Sequence, residues 1–192
     1  MNRITSMSRR VALAFVGCGL AVLSATSLSA ATAGASVRCS ASLAYQPGVP
    51  ARCEQFRYAR ETLAMGYEQF IARKQDFVGS GCQFLPAQRQ GQTCNKPAPY
   101  DSFDWTTDGC SQTPDTWKAV FDGPCQQHDF GYRNFHNGLR LQPTEAMRGR
   151  VDRKFLYEMG RICKTWSLLQ RATCRTAARA MYDAVRVANH WP

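Results

Sequence analysis

The chain has 192 residues, of which 24 are Lys or Arg and 14 are Asp or Glu, giving a formal net charge of +10 at pH 7. This length suits one domain after a leader segment. The positive charge favours anionic partners, either nucleic acid or anionic lipid, and does not choose between them. Beyond the leader, no apolar run approaches the roughly 20 residues that a membrane-spanning helix needs, which excludes a chain that crosses a membrane there.

Residues 1–35 have the layout of a secretory signal peptide. Met1–Arg10 contains three arginines and no acid, and Val11–Leu23 is an apolar run followed by Ser, Thr and Ala. We expect cleavage after Ala35, with Ala31 as the alternative, and a net charge of +7 on the mature chain once those three arginines are lost. A lipoprotein anchored at Cys18 is a less favoured interpretation, because the apolar stretch before it is short. The sequence therefore predicts a secreted, extracellular protein.

Eight cysteines lie beyond the predicted signal peptide. An even number in an exported chain indicates four disulfides. The alternative is a metal site, but the CxxC pairs that zinc sites commonly use are absent from the sequence. Cys82 and Cys94 are a natural local pair within this set of Cys39, Cys53, Cys82, Cys94, Cys110, Cys125, Cys163 and Cys174.

The first predicted element is an amphipathic helix over about residues 54–74. Residues 36–53 before it are loop-like, with Pro47, Gly48 and Pro50 as breakers. The stripe Phe56, Ala59, Leu63, Tyr67 and Phe70 has the three- and four-residue spacing of a helix that packs against a core. Residues 78–101 contain too many glycines and prolines for regular structure, so we expect a loop held by cysteines there.

Three further helices are expected after a loop over residues 101–124. The first should begin near Gly123-Pro124 and run to about Asn137, because proline is tolerated in a first helical turn. The second should open at Pro143-Thr144 and run to Lys164, and the last should cover about 171–188. Strand patterns are missing, so the fold class is all-α and disulfide-stapled.

His128 and Asp129 stand next to each other on the first of these helices. Adjacent helical residues differ by about 100° around the axis, so one side chain can face a water while the other faces a metal. Tyr132 lies one turn on, on the same face as His128. Asp152 interrupts an otherwise apolar stripe, where an unpartnered carboxylate would cost several kcal/mol. It is either the partner of an imidazole N–H or a solvated acid at the edge of the stripe.

The segment that ends in Asp108, Gly109 and Cys110 is a candidate metal loop. An Asp-Gly turn tied by a disulfide can offer a carboxylate and a backbone carbonyl. Calcium takes six to eight oxygens, which Asp108, the Gly109 carbonyl, Asp129 and water could supply. The alternative is that Asp-Gly is only a turn.

Three motifs resemble the secreted phospholipases A2 of bacteria and fungi. They are FDWTTDGC at 103–110, CQQHDFGYRNF at 125–135 and VDRKFLYEMGRIC at 151–163. The resemblance covers about residues 98–192. It implies two long antiparallel helices that bring His128 to Asp152, the disulfides Cys110–Cys125 and Cys163–Cys174, and calcium ligands from Asp108, the Gly109 carbonyl and Asp129.

The implied activity is calcium-dependent hydrolysis of the sn-2 ester of a phospholipid to a lysophospholipid and a fatty acid. His128 would activate water and Asp152 would orient it, together with the Tyr132 hydroxyl. The implied partner is a phospholipid membrane surface or micelle, with anionic lipid as one candidate, and we expect a monomer. The expected division is 1–35 signal peptide, 36–97 N-terminal extension with one amphipathic helix, and 98–192 catalytic domain.

The extension departs from that family pattern. Its four cysteines fall outside the four-cysteine core, and the pairing Cys39–Cys53 with Cys82–Cys94 rests on locality alone. Its role as a propeptide, an interfacial module or a stabiliser stays open.

Two other functions compete with an enzyme. One is a non-enzymatic secreted binding protein or toxin on the same scaffold, although His128, Asp129, Asp152 and Asp108 are all present. The other is a nucleic-acid-binding protein, which the scattered arginines and the lack of a known motif disfavour. We therefore expect no nucleic-acid partner.

Overall fold

The computed structural model describes residues 51–111, 113–188 and 190–191. The expected signal peptide and Cys39 lie outside them. Five α-helices occur in these ranges, together with short 3-10 turns at Pro86–Gln88 and Tyr100–Ser102, and no strand, which confirms the all-α prediction. The helices are α1 (Ala51–Ala64), α2 (Tyr67–Gly79), α3 (Asp115–Tyr132), α4 (Glu145–Lys164) and α5 (Leu168–Ala188).

The helix predicted over 54–74 is two helices, so its expected continuity was wrong. Gly66 stands before α2 with an extended backbone (φ −60°, ψ 148°) and breaks the chain direction. The break leaves the carbonyls of Leu63 and Met65 without partners in a continuous helix. They accept hydrogen bonds from the Gln127 side chain at 3.1 and 2.9 Å. A tertiary contact thus satisfies the backbone groups that the break leaves free.

Helix α3 begins at Asp115, eight residues before the expected start at Gly123-Pro124. Pro124 lies inside the helix, and the backbone departs from helical values at Phe121 (φ −108°, ψ 15°). A kink three residues before proline is what a missing N–H and a crowded ring produce. Gly123 is needed here, because a Cβ would lie 2.4 Å from the Tyr67 ring of α2.

Helices α3 and α4 are antiparallel, as expected. Gly131 meets Val151, where a Cβ on the glycine would lie 2.6 Å from the valine side chain. One turn earlier on α3, His128 lies against Phe155, one turn later on α4, with ring centroids 4.7 Å apart. Helix α4 begins as predicted, with the Thr144 side chain accepting a hydrogen bond from the Met147 N–H at 3.2 Å. After α3 the chain continues through a π-helical turn at Arg133–Asn137.

An aromatic core joins α1 and α2 to α3 and to the loop that contains Trp105. The Trp105 ring lies 4.7 Å from Phe77 of α2 and 4.6 Å from Phe130 of α3. Phe70 of α2 is 1% exposed and lies 5.6 Å from Phe130. The extension helices therefore share one hydrophobic core with the helix that carries His128.

Three of the expected disulfides are present: Cys82–Cys94, Cys110–Cys125 and Cys163–Cys174. Cys53 is also disulfide-bonded. Its expected partner, Cys39, lies outside the described residues, so that pairing stays a prediction. The helices in the described ranges include none that is long and apolar enough to cross a membrane.

Candidate active site

The side chains of His128 on α3 and Asp152 on α4 face each other. The His128 Nε2 lies 2.9 Å from the Asp152 Oδ1. Asp152 is fully buried and His128 is 8% exposed, which excludes the solvated-acid interpretation of Asp152. Burial raises the pKa of Asp152, but hydrogen bonds from His128 and Arg186 outweigh it and hold the pKa below its usual range. An ionised carboxylate only accepts, so Nε2 carries the proton of a neutral ring and Nδ1 is left as an acceptor.

Tyr132 completes this side of the carboxylate. Its hydroxyl donates to the same Asp152 Oδ1 at 2.9 Å, and its ring lies 4.4 Å from the imidazole. Burial and then the Asp152 charge raise the pKa of Tyr132 above its usual range. The phenol therefore stays protonated and acts as a donor.

Two arginines and Glu145 occupy the other side of Asp152. Arg186 Nη1 lies 3.0 Å and Arg148 Nη1 3.5 Å from the Asp152 Oδ2. Glu145 binds both guanidiniums, at 2.6 Å for Arg148 and 2.7 Å for Arg186. These three residues were not predicted from the sequence. The four-residue spacing of Arg148 and Asp152 is a readable signal, whereas Arg186 lies on another helix with no local pattern to indicate it.

The candidate metal loop closes over Asp129. The Asp129 Oδ2 accepts hydrogen bonds from the Thr107 hydroxyl, from Asp108 N at 3.1 Å and from Gly109 N at 3.0 Å. Gly109 has φ +62°, a value that favours glycine at this turn. Thr107, which was also not predicted from the sequence, thus fixes the loop to α3.

Asp108 stands at the mouth of this loop. Its Oδ1 accepts from Arg133 Nη2 at 3.0 Å and its Oδ2 from the Ser111 hydroxyl at 3.2 Å. Burial acts against ionisation, but the loop's backbone hydrogen bond and the Arg133 charge hold the pKa of Asp108 below its usual range. Asp108 is therefore an anion at the mouth of the loop.

The donor set fits calcium. Burial raises the pKa of Asp129, and the Asp108 charge adds to that rise against the Thr107 hydrogen bond. A cation between the two carboxylates would relieve this repulsion. In the described part of the chain, no three His, Cys, Asp or Glu side chains converge as a metal cluster. Two carboxylates would need carbonyl and water oxygens beside them, which calcium accepts and zinc rarely does.

A groove of about 880 Å³ opens beside these groups. His128, Asp129 and Asp108 stand at its polar side. An apolar part of its lining comes from α5, through Ala177, Ala180, Met181, Ala184, Val185 and Ala188. The groove can hold a molecule with one polar and one apolar part.

Comparisons with known proteins identify the family of the chain. Residues 77–189 match the family described as prokaryotic phospholipase A2. A secretory phospholipase A2 of Beauveria bassiana is 36% identical over 88 residues, covering 45% of this chain and 44% of that protein. A secretory phospholipase A2 of Arthroderma benhamiae is 39% identical over 88 residues, covering 43% of this chain and 57% of that protein. The chain thus spans about half the length of these curated relatives. It belongs to the prokaryotic phospholipase A2 family.

Proposed function

We propose that the protein is a secreted, calcium-dependent phospholipase A2. Its reaction would be hydrolysis of the sn-2 ester of a glycerophospholipid to a lysophospholipid and a free fatty acid. The observation that carries this proposal is the buried His128–Asp152 hydrogen bond at 2.9 Å. The His128 side of this pair lines a groove that has a polar and an apolar part. Family membership supports the same activity, and the fungal relatives are named secretory phospholipases A2.

The mechanism follows from the protonation of the His128 ring. Asp152 accepts the Nε2–H and so keeps Nδ1 free to take a proton from water, which attacks the ester carbonyl. The Nδ1–H then protonates the leaving lysophospholipid oxygen. Asp152 remains ionised throughout and stabilises the imidazolium formed between these steps. Tyr132 donates to Asp152 Oδ1 and keeps that oxygen aligned with the ring.

Asp108, Asp129 and the Gly109 carbonyl would hold calcium. The ion, when bound, supplies Lewis-acid polarisation of the ester carbonyl and neutralises developing negative charge. Thr107 holds Asp129 in place through its hydroxyl.

The proposal also covers the partners and the location of the protein. Its substrate would be a phospholipid membrane surface or micelle, and its basic charge favours anionic lipid. We propose an extracellular monomer after loss of residues 1–35. Residues 98–192 would carry the chemistry, and 36–97 would form the extension.

The test is release of fatty acid from mixed phospholipid vesicles, with calcium or with excess chelator. We expect a fatty acid from the sn-2 position and a lysophospholipid in equal amounts, only when calcium is present. Vesicles of zwitterionic and anionic lipid, compared at two salt concentrations, measure the headgroup preference. Absence of both products with calcium present would reject the activity, and full turnover in chelator would reject the role of the metal.

A further inference from the structure

A partly buried ionic cluster stands behind Asp152, on the side away from His128. It contains the Asp152 Oδ2, the guanidiniums of Arg148 and Arg186, and the Glu145 carboxylate. Arg148 is 2% exposed and Asp152 is fully buried. The two positive and two negative charges balance. This matters because an uncompensated charge at such a depth costs several kcal/mol.

The cluster divides the two oxygens of Asp152 between different partners. Oδ1 faces His128 and Tyr132, whereas Oδ2 faces Arg186 at 3.0 Å and Arg148 at 3.5 Å. Rotation of the carboxylate about its Cβ–Cγ bond would break contacts on both sides. The arginines therefore restrict the plane in which Oδ1 meets the imidazole.

The same cluster fixes the end of α5 against the start of α4. Arg186 lies in the last turn of α5 and Arg148 in the first turn of α4. Arg148 also donates to the carbonyls of Val185 and Arg186, at 3.4 and 3.3 Å, which lie in the last helical turn, where carbonyls lack partners within the helix. Glu145 pairs with both guanidiniums and so links Arg186 of α5 to Arg148 of α4.

We propose that Arg186, supported by Arg148 and Glu145, is a positioning residue for the reaction. It holds the Asp152 carboxylate in the orientation that keeps the proton on His128 Nε2 and leaves Nδ1 for water. The helix that lines the apolar part of the groove thereby also sets the alignment of the dyad. Its catalytic consequence rests on the proposed phospholipase activity, while the positioning itself concerns only the geometry of His128.

The competing explanation is a purely structural tie between α4 and α5. Such a tie would lower the unfolding temperature when broken and leave the folded enzyme with its normal turnover. A positioning role changes turnover and the state of the His128 Nε2–H in molecules that remain folded. These two readouts separate the explanations.

The experiment compares Arg186→Gln and Arg186→Lys with Arg179→Gln. Arg179 is the matched control: it lies two turns earlier on α5, with a side chain 63% exposed that pairs with the exposed Asp183. For each full-length variant we would measure kcat and KM for fatty-acid release at saturating calcium, and the thermal unfolding temperature. A proton NMR spectrum at one fixed pH would report the hydrogen-bonded His128 N–H resonance, assigned by its loss in His128→Gln.

For Arg186→Gln we expect a fall in kcat of roughly 10- to 100-fold, with KM changed by less than about twofold, since misalignment of a reacting group acts on the chemical step. The His128 N–H resonance should shift or broaden. Arg186→Lys should restore part of kcat because it keeps the charge but not the planar guanidinium. Arg179→Gln should match the wild type in turnover and resonance.

Wild-type kcat and an unshifted resonance in folded Arg186→Gln would overturn the inference. If that variant does not fold, Glu145→Gln, which keeps both guanidiniums but removes their anchor, replaces it with the same expected changes and the same criterion for rejection. If the wild type releases no fatty acid, the proposed activity has failed. The His128 resonance in the Arg186 or Glu145 variant then decides the positioning role by itself.

Discussion

Asp152 shows how one buried carboxylate can serve two sets of donors. The family resemblance implied a His128 partner for Asp152, whereas its position in an apolar stripe left a solvated acid open as the alternative. The structure has a 2.9 Å hydrogen bond between the two side chains. Of the two arginine contacts to its second oxygen, the four-residue spacing of Arg148 and Asp152 on α4 is readable from the sequence. The Arg186 contact is not, because Arg186 lies 34 residues away on another helix and only the packing of α5 brings it there.

The first prediction concerns Asp152→Asn, a change that keeps the shape of the side chain. An amide presents one acceptor, and Arg186 and Arg148 would draw it away from His128. The imidazole would lose its fixed tautomer, so turnover should fall by about 100-fold or more. Fatty-acid release measures the rate, and circular dichroism confirms that the helices persist. Wild-type turnover in a folded variant would show that the dyad does not carry the reaction.

The second prediction concerns Asp129→Asn. Replacing one of the two loop carboxylates by a neutral amide should weaken calcium binding and remove most of the activity, with the helical circular dichroism unchanged. Titration calorimetry with calcium alone measures the binding. Asp115→Asn is the control, because Asp115 is an exposed acid in the first turn of the same helix. Equal calcium affinity in both variants would argue against Asp129 as a ligand.

At the scale of elements, the sequence predicted α4 closely and misplaced α3. Thr144 is a readable N-cap before a clear apolar stripe, so the start of α4 needed only local information. Proline is commonest near a helix start, which suggested that α3 begins at Gly123-Pro124. The structure continues the helix through Pro124 because Phe121 absorbs the kink and Gly123 accommodates the Tyr67 ring. The contact between Gly123 and Tyr67 is tertiary, so the local sequence does not reveal it.

The third prediction concerns the loss of stability at low pH when Glu145, which links α4 to α5, becomes protonated. Hydrogen bonds from Arg148 and then Arg186 lower the pKa of Glu145 from its ordinary 4.5 to about 2. A lowered folded-state pKa stabilises the protein above the ordinary pKa, and this contribution is lost as the pH falls through the folded value. Thermal unfolding of the wild type should therefore lose stability between about pH 4.5 and pH 2.

In Glu145→Gln the unfolding temperature should depend less on pH between about pH 4.5 and pH 2, because the variant has no carboxylate to protonate at this position. Asp183→Asn is a suitable control, because it removes an exposed acid of α5 that pairs with the exposed Arg179. Parallel curves for Glu145→Gln and the wild type across the window would contradict the assignment.

At the scale of the whole molecule, the corner between α1 and α2 is held by both helices that carry the dyad. Gln127, the residue before His128, donates to the Leu63 and Met65 carbonyls. From α4, the Lys154 ammonium donates to the Ala64 carbonyl at 3.0 Å, and the fully buried Glu158 accepts from Tyr67 N at 3.4 Å. This packing favours a stabilising role for residues 51–79 over a removable propeptide.

The last prediction tests that role with Phe70→Ala. Phe70 is 1% exposed and packs against Phe130 and Trp105, so its loss should lower the free energy of unfolding by about 3–5 kcal/mol through lost burial and a residual cavity. Val78→Ala, at a site on α2 that is 38% exposed, should cost much less. Urea unfolding followed by circular dichroism measures both variants. A detachable propeptide would unfold by itself and leave the signal of α3–α5 at its wild-type midpoint, whereas a shared core requires α3–α5 to unfold earlier in Phe70→Ala, within one cooperative transition.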